Sequence, residues 1–268
     1  MRKILVLSFL IVLSMSPLFS QCIEPSGDDE GVQVVGYIQA QYDYRFGNSD
    51  GNVITEEADD LFSFNRARMG LLGSIPYDFS YYIIFEFSPT KGTPYLLDGF
   101  ITYSRFAPML KMTMGRFKSP FGLELNTPCQ GLYTINRSDV VNALTGPGRD
   151  VGLWFHGGFE EALNLKYNLA LTNGVASATE IGEPGELSFT SRVTVEPIEM
   201  LQIGASYRYT TFRDSSYGVT NEEMRSLNRI GAELQFEWED LLVQGEYIMG
   251  KGYMETPPAG AAGAVGGS

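Results

Sequence analysis

Seven charged side chains within 35 residues mark where this 268-residue chain could do chemistry: the bases Arg116, Lys118, Arg137 and Arg149, and the acids Glu124, Asp139 and Asp150. In a narrow aqueous passage, fixed charges of this kind decide which ions pass; packed together, they would instead tie a loop to a wall as ion pairs. Other chemistries have less support. His156, the one histidine, stands between Phe155 and Gly157 with no serine or acid two residues away, so a general base would lack its partner. It reads as a polar residue facing an interior, and no enzymatic activity is expected. Glu56, Glu57, Asp59 and Asp60 form the densest acidic run, which suits a solvated loop better than a calcium site. Neither a metal nor a cofactor is expected.

Composition narrows the class. Arg2 and Lys3 precede an apolar run over residues 4–13, and Ser20 closes a segment that reads as a secretory signal peptide over residues 1–20, cut before Gln21. A lipoprotein cysteine at Cys22 is the alternative. Losing Arg2 and Lys3 moves the formal charge from −13 to −15, and so acidic a chain is not a nucleic-acid binder. Two cysteines, Cys22 and Cys129, exclude a disulfide-stapled scaffold.

The elements that must position these residues are strands. Val34, Gly36, Ile38, Ala40, Tyr42 and Tyr44 alternate with Val35, Tyr37, Gln39, Gln41 and Asp43, and about eleven segments repeat that period of two. No stretch has eighteen consecutive apolar residues after the leader, whereas most alternating segments have the nine to eleven residues a tilted membrane strand needs. Short connections at 74–78, 105–109, 158–164, 196–200 and 239–240 take turns with long ones at 45–60, 88–96, 118–149, 173–186 and 213–225. Short periplasmic turns against long outer loops belong to an antiparallel up-and-down transmembrane β-barrel. Residues 21–31 form a lead-in, 32–250 the barrel and 251–268 a Pro/Gly/Ala-rich tail or loop. Aromatic residues cluster at both strand ends, among them Tyr42, Phe62 and Tyr247 at one and Tyr77, Phe106 and Trp238 at the other, as interfacial girdles would.

The polar face must then line a lumen. Arg66 and Arg68 alternate with Asn65, Ala67, Met69 and Leu71, and an arginine on the lipid face near the midplane would cost about 2–4 kcal/mol. Both therefore point inward. The same parity gives inward bases at Lys111, Lys166, Arg192, Arg208 and Arg229, and inward acids at Asp43, Glu86, Asp98, Glu196, Glu233, Glu237 and Glu246. Loop 118–149 is too long for a plain connection. Its apolar residues Phe121, Leu123, Leu125, Leu132 and Ile135 need burial, and a short helix is predicted with Ser138 as cap and Val140, Val141 and Leu144 on one face. Folding into the lumen would satisfy both and narrow the pore.

The run MGRFKSPFGLEL, the segment NRSDVVNAL and the run GPGRDVGLWFHG resemble the phosphate-selective porin O and P family of Gram-negative outer membranes. The resemblance implies a sixteen-stranded trimeric porin whose third loop folds inward. It makes Arg116, Lys118, Arg137 and Arg149 the constriction bases, and the charges read directly from the loop and its flanks add Glu124 and Asp150 to that constriction. The family's phosphate contacts do not match one by one, so the solute is not inherited. Eleven segments against sixteen, with a tail reading METPPAGAAGAVGGS, suggest a chain shortened at its C-terminus. Expected partners are outer-membrane lipid, small ions or solutes such as phosphate, and like chains in a homotrimer, with no nucleic acid. A plugged structural or adhesive barrel, binding a partner through its outer loops, is the rival reading.

Overall fold

The computed structural model describes residues 31–43, 61–174, 187–213 and 224–251. The leader, Cys22, Tyr44, the acidic run at 56–60 and the tail lie outside them, as does the side chain of Asp43. Eleven strands follow the chain: β1 Val32–Asp43, β2 Leu61–Ile75, β3 Phe79–Glu86, β4 Tyr95–Phe106, β5 Leu110–Lys118, β6 Arg149–Phe159, β7 Leu165–Thr172, β8 Leu187–Ile198, β9 Leu201–Arg213, β10 Met224–Trp238 and β11 Leu241–Lys251. They form one antiparallel sheet in which every strand pairs with its sequence neighbours, the up-and-down order expected of a barrel wall. β1 and β11 are not paired with each other among the described residues. No described helix is long and apolar enough to cross a membrane.

The two faces are sorted as the alternation requires. Val34, Ile38, Met69, Leu71, Ile101, Met114 and Leu171 are exposed on one face, whereas Thr102, Thr113, Thr190, Thr194 and Ser206 are buried on the other. An apolar outer surface over a hydroxyl-rich interior inverts a soluble protein and matches a wall between lipid and lumen. Tyr42 and Phe62 are exposed at one end of β1 and β2, Phe106 and Trp238 at the other end of β4 and β10 and Tyr77 in the turn after β2, whereas Tyr247, expected with the first group, is exposed within β11 opposite Ala232.

One strand breaks the expected parity. β1 pairs Gln39 with Arg66 but Ala40 with Phe64, so Asn65 is an extra residue in β2. The bulge turns Asn65 to the interior beside Arg66, although it was expected on the face of Met69. Arg66 and Arg68 themselves are buried, as their cost on the lipid face requires.

Gly204 serves a different purpose. A Cβ there would stand 2.8 Å from Glu233 Cγ and from Thr194 Cγ2. Its absence leaves room for Arg192 on β8 to reach over β9 and pair with Glu233 on β10 at 2.5 Å.

Candidate functional site

The 118–149 segment crosses the hollow of the sheet. It carries two short helices, α1 Leu123–Asn126 and α2 Asp139–Thr145. Ser138 caps α2, its Oγ accepting from Val141 N at 3.3 Å, as the sequence predicts. The buried face of α2 is Val141 and Thr145, while Val140 is 62% exposed, so the expected face is rotated by one residue. Helix α1 has no counterpart in the sequence reading.

Phe121, Leu125 and Val141 form the loop's apolar core and pack against Ile248 of β11. Leu123 and Leu132 are half-buried. Ile135, expected as an apolar anchor, is exposed, and it is its carbonyl that holds the loop, accepting from Arg66 Nη1 at 2.8 Å.

Anchors come from two separated parts of the wall. On β2, Asn65 Nδ2 donates to Asn136 Oδ1 at 2.8 Å, and Arg68 Nη1 donates to Cys129 Sγ at 3.1 Å. On β9, Arg208 donates to Thr145 O at 2.6 Å, to Pro147 O at 3.2 Å and to Ser119 Oγ; Ser206 Oγ accepts from Gly122 N at 3.0 Å. On β10, Arg229 Nη1 donates to Gly146 O at 2.8 Å. On β11, Glu246 accepts from Leu123 N at 3.2 Å and Glu124 N at 3.0 Å. Gly122 has φ 69, and a Cβ there would fall on the Glu246 carboxylate, so glycine permits both the turn and the approach. The loop therefore bridges β2 to β9–β11 across the interior.

The residues singled out from sequence fall into three groups. Arg68 with Glu86, and Arg149 with Asp98, are ion pairs of the wall at 2.8 Å and 2.9 Å. Lys166 pairs with Glu196 at 3.1 Å nearer the short turns, where Lys111 faces His156 across β5 and β6. Glu237 is exposed near the β10–β11 turn. The second group donates to main-chain oxygens. Arg116 Nε reaches Leu97 O at 3.1 Å, Lys118 Nζ reaches Thr127 O at 3.4 Å, and Arg137 holds Glu124 O and Thr127 O at 3.1 and 2.9 Å. The third is acidic: Glu124 accepts from Ser138 N and Oγ at 2.5 and 2.8 Å, and buried Asp150 accepts from Val151 N and Gly174 N at 2.8 and 2.6 Å.

Charge in this interior is unbalanced. Among the described residues, the bases buried are Arg66, Arg68, Arg116, Arg137, Arg149, Arg208 and Arg229, against Glu86, Asp98, Asp150 and Glu233. Carbonyl oxygens satisfy a guanidinium's donors without cancelling its charge, so the excess remains as a positive field.

Cys129 also belongs to the site. It is a free, buried thiol, approached by Arg68 Nη1 at 3.1 Å and by Arg137 Nη2 at 3.5 Å. Burial pushes this thiol up, but Arg68, Arg137, Lys118 and Arg66 together bring it down to about 5 from an ordinary 9.0. Its partners lie up to 61 residues away, so no local motif could have announced it. His156 stacks on Trp154 with centroids 4.0 Å apart and its Nε2 meets Thr113 Oγ1 at 3.0 Å.

Residues 34–233 match the family model described as "Phosphate-selective porin O and P". Among solved structures, the chain is similar to OmpT (in-vitro folded), an outer membrane protein of Vibrio cholerae in its trimer form. The likeness has a TM-score of 0.55 and 11% identity, and it covers 86% of this chain and 69% of that one. At that identity it speaks to the fold alone. No curated protein matches.

Proposed function

The chain belongs to the phosphate-selective porin O and P family, and from that premise we propose that its third long loop narrows an outer-membrane pore for small hydrophilic solutes, with a bias toward anions. One observation carries the reading: a single loop is pinned to β2 on one side and to β9, β10 and β11 on the other. A loop so held restricts the passage without needing to seal it.

Two layers of charge act on a solute. Arg116, Lys118, Arg137 and Arg149, with Glu124 and Asp150, lie on the loop and its flanking strands and form the constriction. Arg66, Arg68, Lys111, Arg192, Arg208 and Arg229, with Glu86 and Asp98, line the wall. Because several of these guanidinium groups rest on carbonyl oxygens, an entering anion meets a net positive potential without displacing a carboxylate. The loop contacts and the selectivity thus come from the same side chains. The proposal includes phosphate among the anions passed, a homotrimeric assembly, and export by a leader over residues 1–20, with a lead-in at 21–31, the barrel over 32–250 and a tail or loop over 251–268.

Proteoliposome swelling tests the pore. Vesicles carrying the purified protein should swell in small neutral solutes and progressively less as solute size rises. No swelling at any size would instead favour the plugged barrel.

A further inference from the structure

Between loop 3 and the wall formed by β1–β6 lies a cavity of about 250 Å³. Its wall is aromatic where a porin lumen is ordinarily polar. Tyr82 and Phe100 stack with centroids 5.1 Å apart, and Phe117 meets Trp154 at 5.4 Å. Trp154 is held in orientation by its Nε1, which donates to Asn168 Oδ1 at 3.2 Å. Arg68, Lys118 and Arg149 bring the bases of the same cavity, and Asp98 its acid.

We propose that this cavity is a binding site for small aromatic carboxylates, a ring with one negative charge. The inference rests on the pore reading for its biological sense, but it names a solute class which that reading does not. Size sets the first limit: the cavity is smaller than the roughly 300–1,000 Å³ of pockets for drug-sized ligands, which leaves space for a single ring. Shape sets the second, since Tyr82, Phe100, Phe117 and the part of Trp154 that His156 does not cover line the cavity with ring surface, which rewards a flat partner over a round one. Charge sets the third. Arg68 and Arg149 are each balanced by a wall carboxylate, Glu86 and Asp98, which leaves Lys118 and Arg137 beside the Cys129 thiol, negative at neutral pH. One net positive charge is left, which matches a monoanion better than a polyanion. Lys118 sits at the end of β5 with its ammonium on a carbonyl oxygen at 3.4 Å, a long contact that a carboxylate can outcompete.

Binding is measured on the full-length folded protein in detergent, carrying Trp238→Phe so that Trp154 is the only tryptophan. Benzoate should change Trp154 emission saturably. Acetate, which lacks the ring, and benzamide, which lacks the charge, should each bind at least about tenfold more weakly, the factor that one charge-assisted hydrogen bond or one good stacking contact carries. Lys118→Gln, a change at a half-exposed strand end, should weaken benzoate by a similar factor and leave benzamide unchanged. Equal binding of acetate, equal binding of benzamide, or no saturable response to benzoate would overturn the proposal. Single-channel recording on the same preparation separates the two readings. Conductance without benzoate binding keeps the pore and removes this site, and benzoate binding without conductance keeps the site and removes the pore.

Discussion

Replacing Arg208 by methionine should free the end of loop 3 from the wall while leaving the barrel folded. The guanidinium donates to Thr145 O at 2.6 Å, to Thr190 Oγ1 at 3.0 Å, to Pro147 O at 3.2 Å and to Ser119 Oγ, and the side chain is 1% exposed. Methionine fills a similar length but donates nothing. Hydrogen bonds from a charged donor contribute about 1.5–3 kcal/mol each, and truncations of buried charged networks cost about 3–5 kcal/mol in total rather than the full sum. Removing one buried charge near Arg229 offsets part of that loss. Taking about 3 kcal/mol as the net effect, the docked state of the loop is disfavoured by more than about a hundredfold. The pairing of β9 with β8 and β10 runs through the main chain and does not depend on this side chain. The assay is single-channel conductance alongside limited proteolysis of reconstituted protein. The variant should show larger, noisier openings and a new cleavage within residues 119–148. Wild-type conductance and wild-type protection together would refute the claim that Arg208 holds the constriction.

Gly122→Ala should produce a similar but smaller effect, because the methyl group collides with Glu246 and the residue must keep φ 69; noise in the open current reports it. Gly204→Val should separate Arg192 from Glu233, lowering stability by about 3 kcal/mol through a buried charge left unpaired, which a melting curve against the wild type reads. For Cys129, whose folded value near 5 lies below its ordinary 9.0, the ionised thiol strengthens the loop fully above pH 9; that contribution declines as pH falls and is gone below about 5. The ultraviolet thiolate absorbance, read as a difference against Cys129→Ser, should titrate near 5. A midpoint at 8 or above would show that the arginines do not stabilise the thiolate.

How much of this was legible depended on whether a feature is local. Alternation along a strand is local, so eleven segments in the sequence became eleven strands, and the cost of an arginine in lipid placed Arg66 and Arg68 correctly. Asn65 escaped because a bulge is a property of two paired strands, not of either sequence alone. The loop's length and its apolar residues announced that it folds inward, and Ser138 announced α2. What could not be read was the direction of each anchor. Ile135 contributes its carbonyl and not its side chain, and Arg208, Arg229 and Arg137 grip main-chain oxygens and not carboxylates. A backbone carbonyl has the same appearance in every sequence. The Cys129 cluster and the Glu246 contact, which spans more than 120 residues, were hidden for the same reason.

The central claim is that solutes pass beside a loop held by excess positive charge. Its most direct test is the reversal potential of single channels in a planar bilayer under a potassium chloride gradient. Discrete conductance steps with a reversal potential of the sign set by chloride are the result expected here. Steps with the sign set by potassium would contradict the role assigned to the arginines, and the absence of steps would contradict the pore itself.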